Sequence, residues 1–93
     1  MHWLLEYHYE GDDILERRAP HRPGHLDLIT AAVGRGELLL CGAAGDPPDR
    51  AVFIWTGDDT SAAEAFVAAD PYQSAGIVAS WELLPINLVA GGS

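Results

Sequence analysis

Hydrophobic and polar positions alternate through residues 2–10, HWLLEYHYE. Trp3, Leu5, Tyr7 and Tyr9 fall on one face, and His2, Glu6, His8 and Glu10 fall on the other with Leu4. Period two with aromatic enrichment predicts a β-strand. The stretch EGDDILERRAP then reads as a polar connection with a Gly-Asp turn signal. Pro20 and Pro23 bar an ordinary helix interior before residue 23, but proline suits a first helical turn. A helix is therefore expected from about Pro23 to Gly34. His25, Leu28, Ile29 and Ala32 share one stripe of it, with Leu26 and Val33 alongside.

Beyond Gly34 and Gly36 the pattern changes. Residues 37–44, ELLLCGAA, are apolar on both faces, as are residues 51–56, AVFIWT, and GDPPDR between them reads as a turn. The next helix is expected to begin near Asp58–Ser61, with Ser61 and Glu64 spaced as a capping box. Ala63, Phe66 and Val67 form its buried stripe, and one further turn brings Asp70 onto the same stripe. Pro71 ends it, because a residue preceding proline avoids the α region. Residues 76–86, GIVASWELLPI, read as a last strand. Pro85 cannot donate to a ladder, which puts this strand at a sheet edge. A tail follows from about residue 87.

The order is β-α-β-β-α-β. That is the ferredoxin-like α+β plan, an antiparallel sheet with two helices on one face. Helices on one side leave the second face of the two doubly apolar strands bare, and soluble monomers rarely expose so large an apolar patch. A homodimer packed sheet to sheet is the expected remedy.

Composition narrows the function classes. Ninety-three residues suit one domain spanning 1–93, and a chain of that size buries only about 60–65% of its unfolded surface. Five basic residues against 14 acidic ones give a net charge of −9. That leaves no basic footprint for nucleic acid and disfavours an anionic membrane. No apolar run approaches bilayer length, and the N-terminus lacks the layout of a secretory signal. A cytoplasmic location is the expectation. The one cysteine, Cys41, sits in an apolar run and reads as a buried structural thiol.

Candidate chemistry centres on histidine. His21 and His25 have the i,i+4 spacing of a helical zinc pair, but Pro23 lies between them and no Glu completes a known motif. Gly34-Arg35-Gly36 lacks the rest of a phosphate-binding loop, and no nucleophile-elbow pattern occurs. No metal and no cofactor is expected. His25 stands on the apolar stripe of its helix, so its ring points toward the sheet. It suits either a satisfied core histidine or a functional one. Asp70 is either a turn-forming acid or a partner for a cation, because a helix C-terminus disfavours negative charge. Arg18 and Arg22 suit surface ion pairs or the binding of an oxyanion. The aromatics of the strands, Tyr7 among them, and Tyr72 after Pro71 suit core packing or a flat pocket for a cyclic ligand.

RPGHL (Arg22–Leu26), preceded by Arg17-Arg18, resembles the R…RxxHL segment of the YciI-like family. DPYQSAGIV (Asp70–Val78) resembles that family's DPYxxAGL segment, and AEAFVAADPY resembles the helix leading into it. The resemblance runs from the first strand to LLPI. The chain departs from the family at Gly42-Ala43-Ala44-Gly45, where members often carry Gly-Pro. The resemblance implies a dimeric α+β barrel with a His–Asp pair in a pocket, carried here by His25 and Asp70. It also implies lyase- or dehalogenase-type chemistry on small oxygenated rings.

Two functional readings follow. In the first, a small enzyme of lyase, isomerase or dehalogenase type uses His25 as general base, oriented by Asp70. Arg22, Arg18, Tyr72 and Tyr7 would contact its small-molecule substrate. In the second, the same pocket binds a small molecule without turnover and serves regulation.

Overall fold

The computed structural model describes residues 1–91. β1 (His2–His8) is the alternating segment, and its inward side chains Leu5 and Tyr7 are wholly buried. It pairs antiparallel with β3 (Pro48–Thr56) on one side and β4 (Ser80–Ile86) on the other. β2 (Leu38–Gly45) completes the sheet by pairing antiparallel with β3. The strand order is β2-β3-β1-β4, which is the ferredoxin-like arrangement. β4 lies at the sheet edge, the place Pro85 requires.

The helices lie on one side of this sheet. α2 (Arg22–Gly34) buries His25 and Ala32, and α3 (Ser61–Ala69) buries Ala63, Phe66 and Val67. Both stripes are those the periodicity marks. Between helices and sheet lies a core of Leu5, Tyr7, Phe53, Trp55 and Phe66, closed at its ends by Ile14 and Ile77. Among the described residues no helix is long and apolar enough to cross a membrane.

The structure corrects four local readings. The connection after β1 is not irregular: Ile14–Arg18 form a one-turn helix, α1, which runs through a 3₁₀ turn at Ala19–His21 into α2. Asp13 carries its start, its carbonyl accepting from the Glu16 and Arg17 amides, and wholly buried Ile14 anchors it. Pro20 stands in the first turn of the 3₁₀ segment, where its missing N–H is not needed. The N-terminus of α3 is not a Ser61–Glu64 box. Thr60 precedes the helix and donates to Glu64 Oε2 at 3.0 Å, while Asp59 accepts from the Ser61 amide at 2.9 Å. β3 begins earlier than the apolar run suggests, at Pro48, because Gly45 at φ +97° turns the hairpin tightly around Asp46 and Pro47. β4 starts late, at Ser80, because Pro71–Ser74 form a further helical turn, α4, which Gly76 closes at φ +71°.

Candidate functional site

Residue 70 is a junction. Asp70 is the C-cap of α3 and the N-cap of α4 together, with φ −69° and ψ 122°. Pro71 dictates that extended conformation, since its ring crowds the preceding residue out of the α region. The extended residue turns its side chain inward, and Asp70 is only 1% exposed. The concern about a negative charge at a helix C-terminus is answered by the second role. As N-cap of α4, the carboxylate accepts from the Tyr72 amide at 3.0 Å.

Two side chains complete its coordination. His25 Nδ1 lies 2.9 Å from both carboxylate oxygens, and the Tyr7 hydroxyl donates to Oδ2 at 2.8 Å. Three donors thus converge on one buried acceptor, as a buried polar group demands. The carboxylate fixes the histidine tautomer: Nδ1 carries the proton toward Asp70. Nε2 makes no hydrogen bond among the described residues.

The imidazole is clamped as well as oriented. The Tyr72 ring stacks on it with centroids 3.8 Å apart and planes within 5°. Phe53 and Phe66 meet it edge-on at 6.2 and 5.9 Å. Close approach of α2 and α4 makes this possible, and Gly24 permits it. A Cβ at position 24 would sit 3.2 Å from Pro71 Cγ, tighter than ordinary contact.

His25 and Tyr72 form part of the wall of a 270 Å³ cavity. Its other walls are Arg18 and Arg22 at the mouth, Leu26 and Ile29 of α2, and Cys41 and Phe53 of the sheet. That volume lies just under the range of about 300–1,000 Å³ typical of drug-sized ligands, and it suits one substituted ring. A larger hollow of 370 Å³ near Leu28 and Phe66 has only the Arg35–Glu37 pair as charged groups, so it holds no comparable chemistry.

Four of the six residues singled out in the sequence, His25, Arg18, Arg22 and Tyr72, meet at this cavity. Asp70 lies directly behind His25. Tyr7 has a different place from the one read in the sequence: it is wholly buried, off the cavity wall, with its hydroxyl on Asp70. Burial, reinforced by the Asp70 charge and by that hydrogen bond, pushes its phenol far above the usual value of 10.0. Tyr72 carries an unusual feature. It is 1% exposed and its hydroxyl has no hydrogen-bond partner among the described residues, an arrangement that costs about 1–3 kcal/mol.

Of the strand aromatics read as core or pocket wall, Tyr9 and Phe53 reach the cavity, and Cys41 joins them unannounced. Tyr9 shares the parity of Tyr7 and is 7% exposed, one residue past the end of β1. The apolar run around Cys41 predicts a buried thiol, but Cys41 is half-buried on the cavity wall. A register shift between Leu38 and Leu40 puts Leu38 opposite Trp55 and Cys41 opposite Phe53, so both face inward. Simple alternation would send them to opposite faces, and a bulge of this kind leaves no mark in composition.

The family model of the YCII-related domain matches residues 1–87. The chain belongs to that family. No curated protein matches it. Among solved structures, this YCII-related domain is similar to 5-chloro-2-hydroxyhydroquinone dehydrochlorinase from Burkholderia phenoliruptrix, which was solved with 2,5-dihydroxybenzoquinone. The TM-score is 0.75 at 16% identity, over 94% of each chain. It is also similar to a candidate antibiotic biosynthesis monooxygenase from Bacteroides thetaiotaomicron, with TM-score 0.60 and 16% identity over 100% of this chain and 92% of that one. A third is an uncharacterized NIPSNAP domain protein from Burkholderia xenovorans, with TM-score 0.54 and 20% identity over 98% of each chain. At these identities the likeness establishes the ferredoxin-like fold.

Proposed function

We propose that this YCII-related domain is a cofactor-independent enzyme of lyase, isomerase or dehalogenase type, acting on a small oxygenated ring with His25 as its general base. One observation carries the reading: a buried carboxylate fixes Nδ1 of a histidine whose ring lines a one-ring cavity and whose Nε2 has no partner among the described residues. Structural histidines bond at both nitrogens where they can; a histidine held by one and left open at the other, beside a cavity, has the geometry of a base.

The chemistry would run as follows. Nε2 takes a proton from a ring C–H or O–H, and the electron pair left behind moves into the ring as an enolate or phenolate. In an elimination that pair expels a leaving group such as halide from the ring. In an isomerisation the proton returns from Nε2 to a different ring atom. Asp70 stays behind the imidazole throughout and offsets the positive charge gained there. Arg18 and Arg22 at the mouth would hold ring oxygens by charge-assisted hydrogen bonds. The fold likeness to a dehydrochlorinase solved with a hydroxylated quinone supports this substrate class.

The reading includes a homodimer. The sheet face away from the helices carries Leu4, Leu40, Val52, Ile54 and Leu84, with Leu40 56% and Leu84 46% exposed. A second copy packed on this face would cover them. Light scattering after gel filtration should return twice the chain mass of 10.0 kDa. A monomer would remove this part of the reading.

The catalytic part is tested by screening halogenated hydroquinones, hydroxyquinones and enol lactones for thermal stabilisation, then for turnover by ring absorbance. A ligand at 100 times its Kd adds about 2.7 kcal/mol of stability, which is readily seen as a raised Tm. His25→Gln should keep the fold and bind the ring yet abolish turnover. Turnover surviving in His25→Gln would end the general-base assignment.

A further inference from the structure

All five basic side chains of this chain are arginines, set against 14 carboxylates. Three of them are paired: Arg17 with Asp13 at 3.6 Å, Arg35 with Glu37 at 2.6 Å, and Arg50 with Glu6 at 3.2 Å. Arg18 and Arg22 pair with no carboxylate among the described residues, and both stand at the mouth of the same cavity. No Asp or Glu lines that cavity. In a protein of net charge −9, the one-ring pocket is thus positively charged.

Asp70, behind His25, is saturated with donors from within the protein, so its charge is engaged away from the cavity. Tyr9 on the cavity wall senses the Arg18 and Arg22 charges, which partly oppose the upward push of its burial. Two uncompensated cations on the wall of one cavity favour an anionic ligand there.

We propose that the cavity takes its ring as an anion, an ionised enol, phenol or ring carboxylate neutralised by Arg18 and Arg22. This rests on the cavity being the ligand site, but not on turnover. It selects substrates: a ring ionised at neutral pH enters, and its uncharged ether or amide is refused. Charge selection also explains how the site uses so few polar groups. The arginines fix the charged oxygen, and the apolar walls Leu26, Ile29 and Phe53 take the ring.

The test compares salicylate with salicylamide, one ring with and without a charge, by isothermal titration calorimetry at pH 7. Salicylate should bind at least about tenfold more tightly, and its affinity should fall as salt rises. Arg18→Gln and Arg22→Gln should each weaken salicylate roughly 10–100-fold and leave salicylamide unchanged. Equal binding of the two rings, binding of neither, or unaltered salicylate affinity in both arginine variants would overturn the proposal. Anion-selective binding in a protein that turns over no ring would leave this site standing and remove only the general-base reading. Turnover of neutral rings without anion preference would do the opposite.

Discussion

The Tyr7 hydroxyl donates to Asp70 Oδ2 at 2.8 Å across 63 positions of sequence, tying the first strand to the residue between α3 and α4. Tyr7 thereby sets the carboxylate that sets His25, without touching the cavity itself. Tyr7→Phe keeps the ring and its edge-on packing on Phe53 at 4.9 Å but removes the donor. Urea unfolding should show a loss of about 1.5–3 kcal/mol, the range for hydrogen bonds to charged groups. If the dyad supports turnover, kcat should fall with KM little changed, because the substrate contacts are elsewhere.

Asp70→Asn tests the next link. The amide nitrogen of Asn would face a donor in either orientation, the Tyr7 hydroxyl in place of Oδ2 or the Tyr72 N–H in place of Oδ1, and would meet the His25 Nδ1–H in both, so at least one pairing fails. Any ring turnover should drop by about 10²–10⁴-fold through loss of the correct tautomer. Stability should fall too, and the low-field Nδ1 proton resonance of His25 expected for the native protein should disappear or move upfield in the variant. An unchanged resonance would mean that the carboxylate does not orient the ring.

Much of this arrangement is legible in residues. The alternation of HWLLEYHYE gives β1, the stripes of α2 and α3 give the buried faces, and extending the α3 stripe by one turn brings Asp70 inward. His25 is found the same way. Other features arise only in three dimensions. Nothing in the sequence near Tyr7 distinguishes a phenol aimed at a cavity from one aimed at Asp70, since both lie on the same strand face. Cys41 reaches the wall through the register shift after Leu38, which local pattern does not encode. The α1 turn hides in a polar stretch because Ile14 is its single apolar anchor. The unpaired state of Arg18 and Arg22 depends on which acids fold near them.

Buried phenols make the fold sensitive to alkali. Tyr7 and Tyr9 are both held far above the usual tyrosine value of 10.0, chiefly by burial. Above that pH the unfolded chain releases their protons while the folded one keeps them, so stability is full below it and drains away as pH rises. Each tyrosine should remove about 1.4 kcal/mol by one pH unit above 10, or about 3 kcal/mol for the pair. Against a total on the order of 5–14 kcal/mol for a chain this long, that is a large share. Urea midpoints measured between pH 9 and 11 should therefore fall steeply, and Tyr9→Phe should flatten the slope by about half.

Cys41 reports on the cavity directly. Its thiol is half-buried on the cavity wall, and burial raises its pKa above the usual 9.0. The thiolate is the nucleophile, so alkylation by iodoacetamide at pH 7.5 should run slower than for a free thiol. The rate should keep climbing through and beyond pH 9. A ring seated between Phe53 and α2 would cover the same wall. Saturating ligand should therefore slow alkylation further, in proportion to occupancy, while Arg18→Gln should lose that protection at the same ligand concentration. Protection that persists in the arginine variants, or a rate indifferent to any ring ligand, would separate Cys41 from the binding volume.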